Sequence, residues 1–202
     1  MRIILASGSP RRKQLLEQAG ITFDVVVSDA DETIDGDPHS QVAALAQRKA
    51  EAVGTLVAER GEFDGNTLII AADTLVCIGD KVLGKPEDAQ DAFDMLWALQ
   101  GRKHTVYTGV ALLRGKPDGS APVCEVFVDA AYVYFRPLQE REIRAYIATG
   151  EPFDKAGAYG IQEKGALLIE RVEGDFYTVM GLPISKLCVQ LEELGVQVWP
   201  AV

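Results

Sequence analysis

Asp73 is the residue whose surroundings most clearly indicate chemistry. It interrupts a run of apolar and β-branched residues that begins at Thr67, is closed by Gly79 and predicts a buried strand. Aspartate is depleted in strands and is costly to bury unless it is paired or binds a cation. Two explanations are open: a structural pairing with a turn or an arginine, or a role in catalysis or metal binding.

Two more polar groups are expected beside that carboxylate. Gly79 and Asp80 form a two-residue hairpin signal, so we predict that the strand folds back and brings Lys85 near the same end of the sheet. Thr74 directly follows Asp73. A carboxylate, a hydroxyl and an ammonium group in one place indicate phosphate and metal chemistry.

A serine and glycine loop at residues 7–10 is a second candidate for phosphate binding. Ser9 suits an N-cap and Pro10 the first position of a helix, whose first turn then contains Arg11 and Arg12. Basic residues have the wrong sign for this end of the helix dipole, and a bound anion would remove the conflict. Backbone N–H groups and forked guanidinium groups would both hold phosphate, whereas the structural alternative is a solvated basic face.

Three other segments supply candidates. Lys49 falls on the apolar stripe of a helix that opens at residues 37–38, where it would either snorkel to water or reach a phosphate. Of the acidic loop at residues 29–37, at most one carboxylate is expected to bind Mg²⁺. The glycine-rich loop at residues 151–162 carries Gln162, whose amide both donates and accepts, as reading a base edge requires.

Strand-like and helix-like segments alternate along the chain around these candidates. Strands are predicted over residues 2–6, 23–27, 67–78, 103–114, 122–135, 165–172 and 176–180. Helices are predicted over residues 10–20, from 38 onward, over 86–100 and 138–149, and after 183. The inward face of the third helix is expected to consist of Ala89, Phe93, Leu96 and Trp97. Gly109 would mark a bulge, a close approach of backbone or a plain packing contact.

Composition restricts the class of protein and of partner. The 202 residues are 48% hydrophobic and carry a net charge of −10, which fits one compact unit that does not bind DNA or RNA. Three cysteines without metal-ligand spacing favour a reducing cytoplasm, and no run is long enough for a membrane helix. Two histidines and no P-loop motif leave acid and base steps to carboxylates with a divalent cation.

Short motifs stand in order along nearly the whole chain. They are Ser-Gly-Ser-Pro-Arg-Arg at residues 7–12, Asp-Glu at 31–32, Ala-Ala-Asp-Thr at 71–74, Gly-Lys-Pro at 84–86, Thr-Gly at 108–109, Asp-Lys-Ala-Gly at 154–157 with Ile-Gln at 161–162, and Gly-Leu-Pro at 181–183. Each motif alone is weak, but the series resembles the Maf family of nucleoside triphosphate pyrophosphatases.

The resemblance implies a single domain over residues 1–202 with an α/β fold. This fold would have two lobes, an elongated mixed sheet flanked by helices and a central nucleotide cleft, similar to inosine triphosphatase. It implies hydrolysis between the α and β phosphates with Mg²⁺ or Mn²⁺ as cofactor. Matched residue by residue, Asp73 would be the general base and a metal ligand, and Glu32 a second metal ligand. The substrate-binding residues would be Ser9, Arg11, Arg12, Lys49, Thr74, Lys85, Lys155 and Gln162. Of these, the specificity positions would be Arg11, Thr74 and Gln162.

Residues 154–162 look like the branch of this family that acts on dTTP and UTP, and Met180, where a valine is more usual, departs from the pattern without touching a catalytic residue. Two alternatives stay open: a pyrophosphatase for 7-methylguanosine or inosine triphosphate, and a nucleotide-sensing regulator of septum formation. The expected partner is a small-molecule nucleotide, with no nucleic acid and no membrane. A homodimer is left open.

Overall fold

A computed structural model describes residues 1–31 and 33–199 and shows a mixed sheet flanked by helices. Its strands are β1 (Arg2–Leu5), β2 (Asp24–Val25), β3 (Thr67–Ile78), β4 (Lys81–Leu83), β5 (Lys103–Arg114), β6 (Val123–Phe135) and β7 (Ile169–Glu173). Its α-helices are α1 (Pro10–Gln18), α2 (Pro38–Glu59), α3 (Ala89–Leu99), α4 (Glu140–Ile147), α5 (Phe176–Met180) and α6 (Ile184–Glu193). The α/β class predicted from the sequence is confirmed.

The sheet has seven strands in the order β2-β1-β3-β5-β6-β7, with β4 paired to β3. β1 runs parallel to both β2 and β3, and Leu5 lies opposite Ile70. β3 and β4 are antiparallel and joined by the predicted hairpin, in which Gly79 has a φ of 57°. A residue with a side chain would be strained at that angle, so the glycine is what permits the two-residue turn.

The chain divides into two compact units, and both are built from separate stretches of sequence. The first unit contains Met1–Asp73, Thr108–Val128 and the described residues from Gly181 onward. The second unit contains Thr74–Tyr107 and Asp129–Met180. The prediction of one domain with two lobes stays a prediction.

In the first unit, α2 packs on the central strands. Buried small and branched residues form this core, namely Ile4, Ala6, Ala46, Ala50, Val53, Val57, Ile69, Ala71, Ala111 and Leu113. A Cβ atom at Gly109 would lie 2.3 Å from the carbonyl oxygen of Val42, so β5 and the α2 backbone approach too closely for any side chain. Of the three alternatives for Gly109, the structure therefore supports the close approach of backbone.

In the second unit, α3 buries a different face from the predicted one. Ala92, Leu96 and Leu99 are buried, whereas Trp97 is 48% exposed. The helix begins three residues later than expected, because the Asp88 carboxylate caps it by accepting from the N–H groups of residues 90 and 91 at 2.8 Å. Of the predicted face, Ala89 is exposed, Phe93 is half-buried and only Leu96 is fully buried.

Three of the predicted strands are wrong in part or entirely. Residues 176–180 form α5, because Asp175 begins a helical turn in which its carboxylate accepts from the N–H of Tyr177 at 2.8 Å. Residues 163–168 form a 3₁₀ helix, so β7 starts at Ile169. β2 has two residues instead of five. No helix in residues 1–31 or 33–199 has both the length and the apolarity needed to cross a membrane.

Candidate active site

Lys49 and Asp73 form an ion pair in the first unit. The Nζ atom of Lys49 is 2.6 Å from Oδ1 of Asp73, and the two side chains are 17% and 12% exposed. The negative charge of Asp73 on its strand is therefore balanced by Lys49 of α2. The same ion pair balances the positive charge of Lys49 on the apolar stripe of that helix. Neither charge would be tolerated there alone, because an unpaired buried charge is costly.

The register of the sheet places Asp73 beside the loop at residues 7–10. Leu5 pairs with Ile70 in the parallel β1–β3 ladder, and the N–H of Ala6 donates to the Ile70 carbonyl at 2.8 Å. β1 then ends while β3 continues for several residues, so Asp73 follows just beyond the carboxyl end of β1. The carboxyl ends of parallel strands are where α/β proteins commonly bind ligands.

Arg12 holds that loop in shape. Its Nε atom donates to the Gly181 carbonyl at 2.8 Å, and its Nη1 atom donates to Oγ of Ser7 at 3.0 Å. Ser7 is buried and its oxygen also accepts the N–H of Ser9 at 3.2 Å. Ser9 occupies the N-cap position of α1, but its side chain forms no capping bond there. The predicted N-cap position of Ser9 is confirmed, but the serine hydroxyl that organises the loop is that of Ser7.

The first turn of α1 keeps the charge pattern that indicated an anion. No acidic residue lies in this turn, while Arg11 and Arg12 are both half-buried. Two donor atoms of Arg12 contact protein oxygens, so of the two arginines it has the clearer structural role. A phosphate contact from either residue stays a prediction.

The predicted residues Thr74, Lys85, Lys155 and Gln162 belong to the second unit. Thr74 is half-buried and Lys85 is exposed. The Nζ atom of Lys155 donates to the Glu151 carbonyl and to Oδ1 of Asp154, each at 2.6 Å. A substrate phosphate would compete with these two oxygens, so the phosphate contact predicted for Lys155 would need rearrangement of that side chain.

Gln162 lies in a segment that polar residues missed by the sequence analysis hold in place. Tyr146 and Glu151 contact the backbone on both sides of it, through Gly160 on one side and Lys164 on the other. The contacts join residues up to 14 positions apart. The composition of residues 151–162 indicates a functional loop. Nothing local in the sequence indicates that Tyr146 and Glu151 hold it in place.

His104 is a second buried polar residue that sequence analysis did not assign to the site. It is 2% exposed, and its Nε2 atom lies 2.7 Å from the Tyr159 hydroxyl. Burial lowers the pKa of His104 from 6.5 to about 4. Within the described residues its Nδ1 atom has no hydrogen-bond partner, and its ring packs edge-on against Phe135 and Tyr159. The neutral imidazole packs in the core and holds Tyr159, which is buried beside it.

The thiols are not candidates for nucleophilic catalysis. Burial raises the pKa of both Cys77 and Cys124 to about 11, so both stay protonated at neutral pH. The pKa of Cys188 is also raised by burial.

The metal prediction rests on Asp73, since Glu32 lies outside the described residues. Among the residues that the structure does describe, no group of three or more histidine, cysteine, aspartate or glutamate side chains is placed to hold a metal. Asp31 is exposed, and its Oδ2 atom lies 3.7 Å from Nη1 of Arg48. Mg²⁺ commonly binds through one or two carboxylates together with substrate phosphates. Asp73 could supply one such carboxylate.

A comparison with known protein families identifies the family of this chain. A family model described as Maf-like protein matches residues 2–194. The chain belongs to the Maf family. Membership agrees with the series of motifs at residues 7–12, 71–74 and 181–183, two of which the structure connects through Arg12 and the Gly181 carbonyl.

Similar members of the Maf family carry a named activity. The chain is 47% identical over 96% of its length to a dTTP/UTP pyrophosphatase of Caldicellulosiruptor saccharolyticus, of which it covers 95%. It is also 47% identical, over 95% of each chain, to a dTTP/UTP pyrophosphatase of Bacillus cytotoxicus. Among solved structures, the Staphylococcus aureus Ham1 protein matches 67% of this chain and 72% of its own, with 16% identity and a TM-score of 0.45.

Proposed function

We propose that this protein hydrolyses dTTP and UTP between the α and β phosphates, giving the nucleoside monophosphate and pyrophosphate. The observation that supports this reaction is the buried Asp73 carboxylate, whose Oδ1 atom lies 2.6 Å from Nζ of Lys49. This carboxylate lies beside a loop that is followed by two arginines. The substrates are taken from the similar Maf proteins named dTTP/UTP pyrophosphatase. By hydrolysing these nucleotides and modified pyrimidine nucleotides, the enzyme would keep them from accumulating in the nucleotide pool.

Asp73 is assigned the role of general base. Its carboxylate accepts a proton from a water molecule, the water oxygen bonds to the α phosphorus, and the bond to the bridging oxygen of the β phosphate breaks. Pyrophosphate leaves with the electron pair of that bond. Lys49 donates to Oδ1 of Asp73 and so orients the carboxylate.

The basic residues are assigned to the charge of the phosphates. Arg11 and Lys85 are the direct contacts, because they supply cations at a helix start and at the end of a hairpin strand. Arg12 keeps the loop at residues 7–10 in shape through Ser7 and Gly181, so that backbone N–H groups can reach a phosphate oxygen.

A divalent cation, Mg²⁺ or Mn²⁺, belongs to the proposal as well. Asp73 would be its ligand among the described residues, and Glu32 is proposed as a second one from the family resemblance. Such a cation, when bound, withdraws charge from the phosphate oxygens.

Gln162 is assigned the recognition of the base. Thymine and uracil present a carbonyl beside an N–H, which complements a side-chain amide that donates and accepts at once. Cytosine presents a different pattern, and a polar group left unmatched in a closed site costs about 1–3 kcal/mol. Wild-type protein should therefore prefer dTTP and UTP to dCTP and CTP.

The setting of the reaction is proposed to be a reducing cytoplasm, since all three cysteines are free thiols. A net charge of −10 favours a small nucleotide over nucleic acid as the partner. The formation of a homodimer stays open and is to be tested by measuring the mass of the protein in solution.

The test is a panel of nucleotides with and without Mg²⁺ or Mn²⁺, in which pyrophosphate and monophosphate are both measured. We expect equal amounts of the two products from dTTP and UTP, slower turnover of cytosine, 7-methylguanosine and inosine nucleotides, and dependence on the cation. Asp73→Asn protein is the control for contaminating activity. Faster turnover of a purine nucleotide would contradict the substrate assignment, and no turnover of any triphosphate would favour the regulatory alternative.

A further inference from the structure

The backbone around Gln162 adopts angles that need support. Ala158 and Glu163 have φ angles of 59° and 54°, in the left-handed region that residues other than glycine seldom enter. Each such residue costs roughly 1–3 kcal/mol and persists only where surrounding contacts enforce it. Glu163 directly follows Gln162, so the position of the recognition residue depends on whatever enforces this backbone.

One phenol and one carboxylate provide that support. The Tyr146 hydroxyl accepts the N–H of Gly160 at 3.1 Å and donates to Oε1 of Glu151 at 2.9 Å. The Glu151 carboxylate accepts the N–H of Lys164 at 3.2 Å and that of Gly165 at 3.1 Å. The pair therefore fixes the backbone on both sides of Gln162, within three residues in each direction.

The turn that carries Gln162 is also closed sterically. A Cβ atom at Gly165 would lie 1.9 Å from the Gly160 carbonyl oxygen and 2.9 Å from the Tyr146 hydroxyl. The backbone at residue 160 thus passes directly against the backbone at residue 165, with Gln162 in the turn between them. Only glycine at position 165 permits this closure.

The protonation state of Tyr146 suits both of its hydrogen bonds. Burial raises the pKa of its hydroxyl, and the hydrogen bond to Glu151 raises it further. The hydroxyl stays protonated at neutral pH, so it can donate to the carboxylate while it accepts from Gly160. A phenylalanine at this position could do neither.

We propose that Tyr146 and Glu151 are positioning residues that set the base preference of the enzyme by fixing the backbone of Gln162, an inference that rests on the proposed function. An amide distinguishes two pyrimidines by which of its atoms meets the base edge, and this requires a fixed orientation. Loss of the support costs selectivity even where Gln162 itself is intact.

Tyr146→Phe tests the proposal, with Tyr159→Phe as its matched control. Both variants remove one buried hydroxyl. The Tyr146 hydroxyl bonds the N–H of Gly160, whereas the Tyr159 hydroxyl bonds the His104 side chain at 2.7 Å. The measured quantity is the ratio of kcat/KM for dTTP to that for dCTP. We expect Tyr146→Phe to lower this ratio about tenfold and Tyr159→Phe to keep it, at similar losses of melting temperature.

Glu151→Gln is the second variant. It retains an oxygen for the Tyr146 and Gly165 bonds and loses the acceptor for Lys164, so its ratio should fall by less than that of Tyr146→Phe. If Tyr146→Phe does not fold, the Glu151→Gln ratio decides: a fall supports the proposal and a wild-type ratio overturns it. Amide exchange at Gly160 and Lys164, measured in the same samples, should be faster than in wild-type protein.

Failure of the proposal differs from failure of the proposed function. An active wild-type enzyme with a pyrimidine preference that both variants retain would overturn the positioning role alone. Equal losses of the ratio in Tyr146→Phe and Tyr159→Phe would also overturn it, because general loosening would then suffice. Wild-type protein that turns over neither dTTP nor UTP would overturn the proposed function and this inference together.

Discussion

The two groups of candidate residues are held by different physical means. Around Asp73 in the first unit, charged side chains are fixed by ion pairing and by a guanidinium fork, as Lys49 and Arg12 show. Around Gln162 in the second unit, a neutral amide is carried on a backbone that Tyr146 and Glu151 hold. Phosphate chemistry needs charge in a fixed place, whereas base selection needs a fixed orientation, and each group has the support that its proposed task requires.

The largest effect that would test this division is expected from Asp73→Asn. A positioned general base contributes about 10²–10⁴ to the rate, so kcat for dTTP should fall by that factor. Steady-state kinetics of the purified variant measure it. Near wild-type turnover would remove Asp73 from the chemistry and reduce the first group to a structural ion pair.

The same substitution should also lower stability. Neutralising Asp73 leaves the ammonium group of Lys49, only 17% exposed, without its counterion. The expected loss is about 2 kcal/mol, less than for a fully buried pair because asparagine still accepts a hydrogen bond. The double variant Asp73→Asn, Lys49→Met should recover part of the loss without recovering turnover. A melting temperature equal to or above that of wild type in the single variant would contradict the importance of the pair.

The second group should respond to acid through His104. Its pKa is lowered from 6.5 to about 4 by burial, so the unfolded chain binds the proton more strongly than the folded protein. Stability from the neutral imidazole is complete above pH 6.5 and is lost as the pH falls toward 4. At 1.36 kcal/mol per pKa unit, the loss approaches about 3 kcal/mol.

Urea unfolding between pH 7 and pH 4.5 measures this loss. The difference in unfolding free energy between wild type and His104→Gln should shrink as the pH falls, because only wild type carries the buried imidazole. His39→Gln, at an exposed histidine, is the control and should follow wild type. A constant difference between wild type and His104→Gln would show that His104 is charged or exposed in the folded protein.

At Arg12, structure and activity should change together. Arg12→Ala removes the bonds to Gly181 and Ser7 and should cost about 1.5–3 kcal/mol of stability, with a raised KM for dTTP. Arg12→Lys should not restore either property, since one ammonium group cannot reproduce the fork. Full rescue by lysine would mean that charge alone matters at this position.

Much of the fold could be predicted because its signals are local. The apolar run of β3, the hairpin at Gly79 and the proline start of α2 each specify their own conformation within a few residues. Residues 176–180 were predicted as a strand because aromatic and β-branched residues favour strands, but the Asp175 cap starts a helix there. Short segments without periodicity are decided by such caps and by packing.

The sequence marks individual candidate residues but not the contacts between them. Asp73 and Lys49 were each recognised as polar groups on apolar elements, and the cost of burying either charge could have suggested that they pair. Nothing comparable marks Tyr146, Glu151 or His104, whose bonds cross up to 55 residues of sequence. Support of that kind is a property of the folded chain.

The central claim is that Asp73 performs the chemistry while Gln162 selects the base, and one set of kinetic constants tests it most directly. The measurement is kcat/KM for dTTP and for dCTP in wild type, Asp73→Asn and Gln162→Ala. Asp73→Asn should lower both constants by the same factor and preserve their ratio, whereas Gln162→Ala should bring the ratio close to one. A changed ratio in Asp73→Asn, or a preserved one in Gln162→Ala, would contradict the claim.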